Sequence, residues 1–254
     1  MATSPSESPP AYLAALLAPY AAAPPATRPF VTLTFAQSLD GKIAGAGGAQ
    51  LPLSGPESMR MTHWLRTLHD AILVGIGTAL NDDPQLNTRH LPAGAVARAP
   101  RPVVLDSRLR LPPTCKLLRN HAAGAGRRPW VVAAPDADSA WQARKDALEA
   151  AGARVLLLPA GAEAHDPAAM LALLRAEGIR SVMVEGGARV IASLFGALTC
   201  IDTVLVTTAP RLVGGAGVGY SVGQLNAARF RVVETRLEGQ DSVVALVAER
   251  DGAA

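Results

Sequence analysis

The chain has few lysines, cysteines and aromatic residues, and each shortage removes a class of function. Only Lys42, Lys116 and Lys145 are lysines, so 21 of the 24 basic residues are arginines, scattered along a chain of net charge +3. Aromatic residues make up 4% of the sequence. A nucleic-acid binder would show a basic stripe interleaved with aromatic platforms for bases, and the sequence shows no such pattern. Cys115 and Cys200 are the only cysteines, and neither sits in a Cys-x-x-Cys pair. That excludes a cysteine-rich zinc site and a disulfide framework, and it points to a reducing compartment. The histidines His63, His69, His90, His121 and His165 form no His-x-Glu or His-Glu-x-x-His pattern, so no metal is expected. Nucleophilic catalysis lacks its Gly-x-Ser-x-Gly elbow, and Ser193 falls inside a helical stripe. No apolar run is long enough to span a bilayer. No Lys or Arg precedes Arg28, which argues against a secretory signal or an arginine-rich transit peptide. The expectation is a cytoplasmic protein without a membrane or nucleic-acid partner.

What is present is an apolar, globular composition: 49% of 254 residues are hydrophobic and 18% are charged. That is enough chain for one large α/β domain with a substantial core. Residues 1–28 are rich in Pro, Ala and Ser and read as an arm, in which Tyr12 to Tyr20 makes two helical turns before Pro19. Residues 29–254 read as one domain, since no linker divides the middle of the chain.

Within it, Phe30–Ser38 is a strand of β-branched residues running into the Leu39-Asp40-Gly41-Lys42 turn. Ser54 and Glu57 fit a capping box, and the helix behind them puts Met61, Trp64, Leu65 and Leu68 on its apolar stripe, with Arg60, His63 and Arg66 off its centre. Further strands are read at Ala71–Ile76, Pro102–Asp106, Trp130–Ala134, Arg154–Leu158, Val182–Val184 and Ile201–Thr208. Helices are read between them: a short one from Gly77-Thr78 to the stop at Pro84, one over Ser139–Ala151, and one from Asp166-Pro167 to Gly178. Phe230–Thr235 and Ser242–Ala248 make a closing hairpin. Alternating strands and helices predict a largely parallel sheet with helices on both faces, ending in antiparallel strands.

The chain is organised around Ser181–Phe195. A short apolar strand breaks at Gly186-Gly187 and resumes as a helix with Ala188, Val190, Ile191, Leu194 and Phe195 on one stripe. Such a turn leaves backbone N–H groups free and close to any anion, and Glu185 sits at the strand's carboxyl end, where open α/β sheets bind ligands. Gly77-Thr78 and Gly214–Gly219 are two further candidate anion sites. Arg66, Arg89 and Arg189 offer fork-shaped donors for phosphate. No Gly-x-Gly-x-x-Gly follows the first strand, so a standard Rossmann site is not supported.

Three stretches, FVTLTFAQSLDGKIAG, MTHWLRTLHDAILVGIGTALNDDPQLNTR and SVMVEGGARVI, together resemble the riboflavin-biosynthesis reductases. These include the carboxyl-terminal reductase domain of the bacterial bifunctional RibD protein and its free-standing fungal and archaeal relatives, and the resemblance runs from Phe30 to Ala248. It is nearest to the fungal type, which acts on a diamino-pyrimidinone ribosylamino phosphate. The resemblance implies a dihydrofolate-reductase-like α/β fold, a mixed, mostly parallel sheet flanked by helices, together with NADPH as hydride donor and a homodimer. It places Ala36, Thr78, Asp82, Ser107 and the Gly186, Gly187, Ala188, Arg189 and Val190 turn at the dinucleotide, and Arg66, Leu86, Arg89 and Glu185 at the sugar-phosphate substrate. Asp82 and Glu185 become the candidate catalytic groups, with Asp82 or Lys42 moving a proton. Many bacterial members carry Lys where this chain has Thr34, so no role of that lysine transfers. The segment aligned with a Trp-Ile-Thr stretch reads Pro52-Leu53-Ser54, and backbone groups of Gln50 to Ser54 are candidates for reading the pyrimidine. Alternatives are the same reduction on the deaminated uracil compound, a pterin or folate reductase, and a non-catalytic nucleotide-binding protein.

Overall fold

The computed structural model describes residues 8–95, 98–162, 166–221 and 230–249. The first half of the chain runs α1 (Ala11–Ala22), β1 (Phe30–Ser38), β2 (Lys42–Ala44), α2 (Pro56–Thr67), β3 (Ala71–Gly75), α3 (Ile76–Asp82), β4 (Arg101–Leu105), α4 (Lys116–Ala122) and β5 (Trp130–Ala133). The second half runs α5 (Ser139–Ala150), β6 (Arg154–Leu157), α6 (Pro167–Ala176), β7 (Ser181–Glu185), α7 (Ala188–Phe195), β8 (Thr203–Ala209), β9 (Val218–Gly219), β10 (Phe230–Glu238) and β11 (Asp241–Ala248). Nine of these strands form one sheet in the order β10-β11-β8-β1-β7-β3-β4-β5-β6. From β8 to β6 all neighbours are parallel, while β10, β11 and β8 pair antiparallel. This is the mixed, mostly parallel sheet with a closing hairpin that the sequence predicts.

Side-chain alternation along the central strands explains why helices cover both faces. In β7, Val182 and Val184 enter one apolar cluster with α6 and α7, and Met183 enters another with α1 and α2. In β3, Ala71 and Leu73 join the first cluster, and Ile72 and Val74 join a third that includes Trp141 and Leu148 of α5. A strand buried on both faces needs apolar residues at every position, which these two have.

Several local expectations change. Helix α1 continues through Pro19 to Ala22. It buries Leu13, Leu16 and Leu17, each worth roughly 1.5–3 kcal/mol, and together they outweigh the ~3 kcal/mol of an interior proline. Ser54 does not cap α2. The N-cap is Gly55, whose N–H donates to Asp241 Oδ2 (2.7 Å), and Ser58 Oγ donates to the same oxygen (2.6 Å). A carboxylate from β11 therefore satisfies the start of this helix, a long-range partner that a local motif cannot reveal. His63 and Arg66, read as lying off the stripe, are buried. Ile76 belongs to α3, Ile201 precedes β8, and α4 is a helix that the sequence reading did not assign. His69 is structural as expected: its Nδ1 lies 2.9 Å from the Leu65 carbonyl and must donate, so Nε2 accepts from Thr32 Oγ1 at 2.8 Å. His165 lies outside the described residues, as do residues 1–7 of the arm.

Candidate active site

The carboxyl ends of β1, β7 and β3 converge, with Thr34 beside Glu185 in the β1–β7 register and Gly75 ending β3. A cleft of about 1580 Å³ opens there. Every residue expected at the dinucleotide lines it: Ala36, Thr78, Asp82, Ser107 and the turn from Gly186 to Val190.

The geometry of the turn requires glycine. Gly186 and Gly187 have φ of 43° and 92°, on the side of the map that L side chains avoid. A Cβ on Gly187 would stand 2.9 Å from Thr78 Oγ1, and one on Gly75 would stand 2.8 Å from Val190 Cγ2. The first turns of α3 and α7 thus meet with no room for side chains between them. Ile191, Leu194 and Phe195 bury one face of α7, leaving its amino end and the exposed Arg189 at the cleft.

The second feature is an ion pair. Arg66 Nε and Nη2 donate to Glu185 Oε1 and Oε2, both at 2.6 Å, a two-pronged arrangement that fixes both planes. Arg66 Nη1 donates to the Asn87 carbonyl at 2.8 Å. Glu185 keeps a side-chain exposure of 19% and lines the cleft, so the fork of Arg66 is largely spent on holding it. The sequence expectation of Arg66 as an open phosphate clamp is corrected to that extent.

Leu86 and Arg89 do not line the cleft. Leu86, with φ of 47°, turns its side chain into the core beside Val74 and Leu109. The Arg89 side chain is mostly exposed, and its partial burial followed by the charge of Arg66 lowers its pKa. Of the two groups considered for moving a proton, Asp82 lines the cleft and burial raises its pKa. Lys42 instead lays its alkyl chain along Gly217 and Gly219. Gly214–Gly219 is not an open anion site either. The carboxylate of Asp40 accepts from the Val213 and Gly214 N–H groups at 3.1 and 2.7 Å, and its pKa is lowered to about 2 by the Ser38 hydroxyl and these amides. Gln50 to Ser54 do line the cleft.

Sequence reading missed three groups. Arg108 and Arg110 line the cleft just past β4, because the buried Leu109, at φ of 52°, turns inward between them. The signal available was position alone: a Ser-Arg-Leu-Arg run at the carboxyl end of a parallel strand. The third is His63, assigned a structural role, whose Nδ1 accepts from the Arg89 backbone N–H at 3.0 Å. Among the described residues no three His, Cys, Asp or Glu side chains gather as a metal site would require.

A parallel sheet with glycine-lined strand–helix turns at its carboxyl ends, opening on one large cleft, defines an α/β protein built to take a nucleotide-sized ligand. The sequence matches the family model of the RibD C-terminal domain over residues 29–244, and the chain belongs to that family. The 2,5-diamino-6-ribosylamino-4(3H)-pyrimidinone 5′-phosphate reductase of Eremothecium gossypii is 37% identical over 220 residues, covering 82% of this chain and 86% of the relative. The protein of the same name from Methanothermobacter thermautotrophicus is 34% identical over 224 residues, covering 85% of this chain and 97% of the relative. Among solved structures, the Saccharomyces cerevisiae riboflavin biosynthesis reductase superposes with a TM-score of 0.70 at 28% identity, covering 93% of this chain and 99% of that one.

Proposed function

We propose that this chain reduces the ribosylamino side chain of 2,5-diamino-6-ribosylamino-4(3H)-pyrimidinone 5′-phosphate to the ribitylamino form, with NADPH, in riboflavin biosynthesis. One observation carries this reading: a single cleft joins a glycine turn shaped for close backbone approach to a carboxylate held by an arginine fork. The 37% identity to a reductase of that name supports it.

The residues present fit the cofactor, since the Gly186-Gly187 turn carries no side chain where the amino end of α7 faces the cleft. Ala36, Thr78, Ser107 and the Gly186–Val190 turn would hold it, with Arg189 near the helix start for the extra ribose phosphate. When bound, NADPH supplies the hydride, and the ribosylamino group opens to an imine suited to accept it. The protein's part is to orient, to exclude water and to move one proton. Glu185, fixed by Arg66, accepts hydrogen bonds from ribose hydroxyls. Asp82 keeps its proton to higher pH than an ordinary carboxyl and supplies it to the substrate nitrogen. Arg89 lies outside the cleft lining, but its exposed side chain is near enough to Arg66 for the two charges to interact. We assign it, reaching in beside the donors left on Arg66, to the 5′-phosphate, while Leu86, with its side chain in the core, has only its main chain to offer the substrate.

The reductase unit is residues 29–254 with residues 1–28 as an arm, acting in the cytoplasm as a homodimer. Val232 and Leu237, exposed on the edge strand β10, are apolar surface that a second copy would cover. The reading is tested by following NADPH oxidation at 340 nm with the ribosylamino substrate; a folded protein that oxidises none would refute it.

A further inference from the structure

Helix α2 presents two polar side chains one turn apart to the substrate side of the sheet, His63 and Arg66, and both are buried. Arg66 is accounted for by Glu185. His63 is fully enclosed, and its Nδ1 lies 3.0 Å from the backbone N of Arg89. That nitrogen is the donor, so Nδ1 carries no proton and the ring's single proton sits on Nε2. The Nε2 atom is 3.5 Å from Arg66 Nη1. Both are then donors, so this approach is not a hydrogen bond; the Asn87 carbonyl accepts from Arg66 Nη1 at 2.8 Å. The His90 ring closes the other side, edge to face at 4.7 Å.

The segment held in this way needs an anchor. Asp83 and Leu86 both have positive φ, which non-glycine residues adopt only when their surroundings compel it. The burial of Leu86 fixes the segment's start, and the His63 bond to Arg89 fixes its end. Burial, with Arg66, His90 and Arg89 close by, pushes the His63 pKa down to about 3, so the imidazole remains an acceptor throughout the neutral range.

We propose that His63 is a positioning residue: it locks the backbone of Arg89 to the same helix that holds the Arg66–Glu185 pair, so that the phosphate-reading arginine and the ribose-reading carboxylate keep a fixed separation. This rests on the reductase reading above and names the device that makes its two substrate contacts act as one. An apolar side chain filling the same space would leave the Arg89 N–H unpaired and release the segment.

The test compares His63→Phe, which keeps a ring but loses the acceptor, with His63→Asn, whose Oδ1 stands where Nδ1 stood. His63→Gln serves as a second loss variant, because its amide reaches the Nε2 position and not Nδ1. In the Phe and Gln variants, hydrogen exchange at the Arg89 amide accelerates, and KM for the phosphorylated substrate rises about tenfold, the worth of one buried hydrogen bond. KM for NADPH and for the dephosphorylated substrate moves far less, and Asn restores most of the loss. A rise shared equally by all three ligands would mean a general packing role and would overturn the proposal, as would unchanged exchange at Arg89. Wild-type protein that oxidises no NADPH would sink the reductase reading separately, with the exchange measurement still deciding whether His63 holds the segment.

Discussion

The glycine turn before α7 allows a prediction with a built-in control. Gly187→Ala places a Cβ at φ of 92° and ψ of 123°, a region open essentially to glycine alone, at a cost of roughly 1–3 kcal/mol. The same Cβ stands 2.9 Å from Thr78 Oγ1, so Thr78, a cleft residue, must move as well. Gly214→Ala has a similar φ of 87° but meets nothing within 4 Å, and Gly214 does not line the cleft. Both variants should therefore lose Tm by several degrees, at about 2–4 °C per kcal/mol for a chain of this size. Only Gly187→Ala should also lose NADPH affinity. Displacing Thr78 and crowding the helix start is expected to raise Kd at least about tenfold, ~1.4 kcal/mol. Thr78→Ala in the Gly187→Ala background removes the clashing oxygen and should recover part of the stability. Thermal melts and NADPH fluorescence titrations read both quantities. A Gly187→Ala protein that binds NADPH as tightly as the wild type would refute the cradle.

The remaining predictions concern charge and protons. Arg189→Ala should raise KM for NADPH much more than for NADH, and equal effects would remove Arg189 from the extra phosphate. Because burial raises the Asp82 pKa, its acid form persists above the ordinary carboxyl range, and kcat should fall as pH rises through that pKa. Asp82→Asn should lower kcat by roughly 10²–10⁴ and abolish that limb of the pH profile; a variant that retains the limb would show that another group donates.

Much of this architecture was legible because its signals are local. Phe30–Ser38 was read with the bounds observed, and the Asp166-Pro167 helix start is confirmed by Asp166 accepting from the Ala168 N–H. The Gly186-Gly187 turn was legible for the same reason, since consecutive glycines between an apolar strand and an apolar helical stripe leave few alternatives. What escaped depends on partners distant in sequence. Asp241, 186 residues from Gly55, displaces Ser54 as the group that satisfies α2. Arg66 is claimed by Glu185, 119 residues away, and no helical wheel shows that a charged residue off the stripe will be buried for that reason. His63 carries no motif, and its bond to the Arg89 backbone appears only once the chain between them has folded back. The resemblance alone places Leu86 at the substrate; its side chain, on a backbone of positive φ, is buried in the core instead.

The measurement that bears most directly on the account is the ratio of catalytic efficiencies on two substrates. The diamino-pyrimidinone and its deaminated uracil counterpart differ at one ring position, where an amine becomes a carbonyl and a donor becomes an acceptor. A site built for the amine meets the carbonyl with an unmatched buried acceptor, a mismatch worth on the order of 1–3 kcal/mol. Gln50 to Ser54 line the cleft, and their backbone groups are the candidates for that reading. With NADPH saturating, kcat/KM for the diamino compound should exceed that for the uracil compound by about tenfold or more. Efficient reduction with the preference reversed would contradict the assignment.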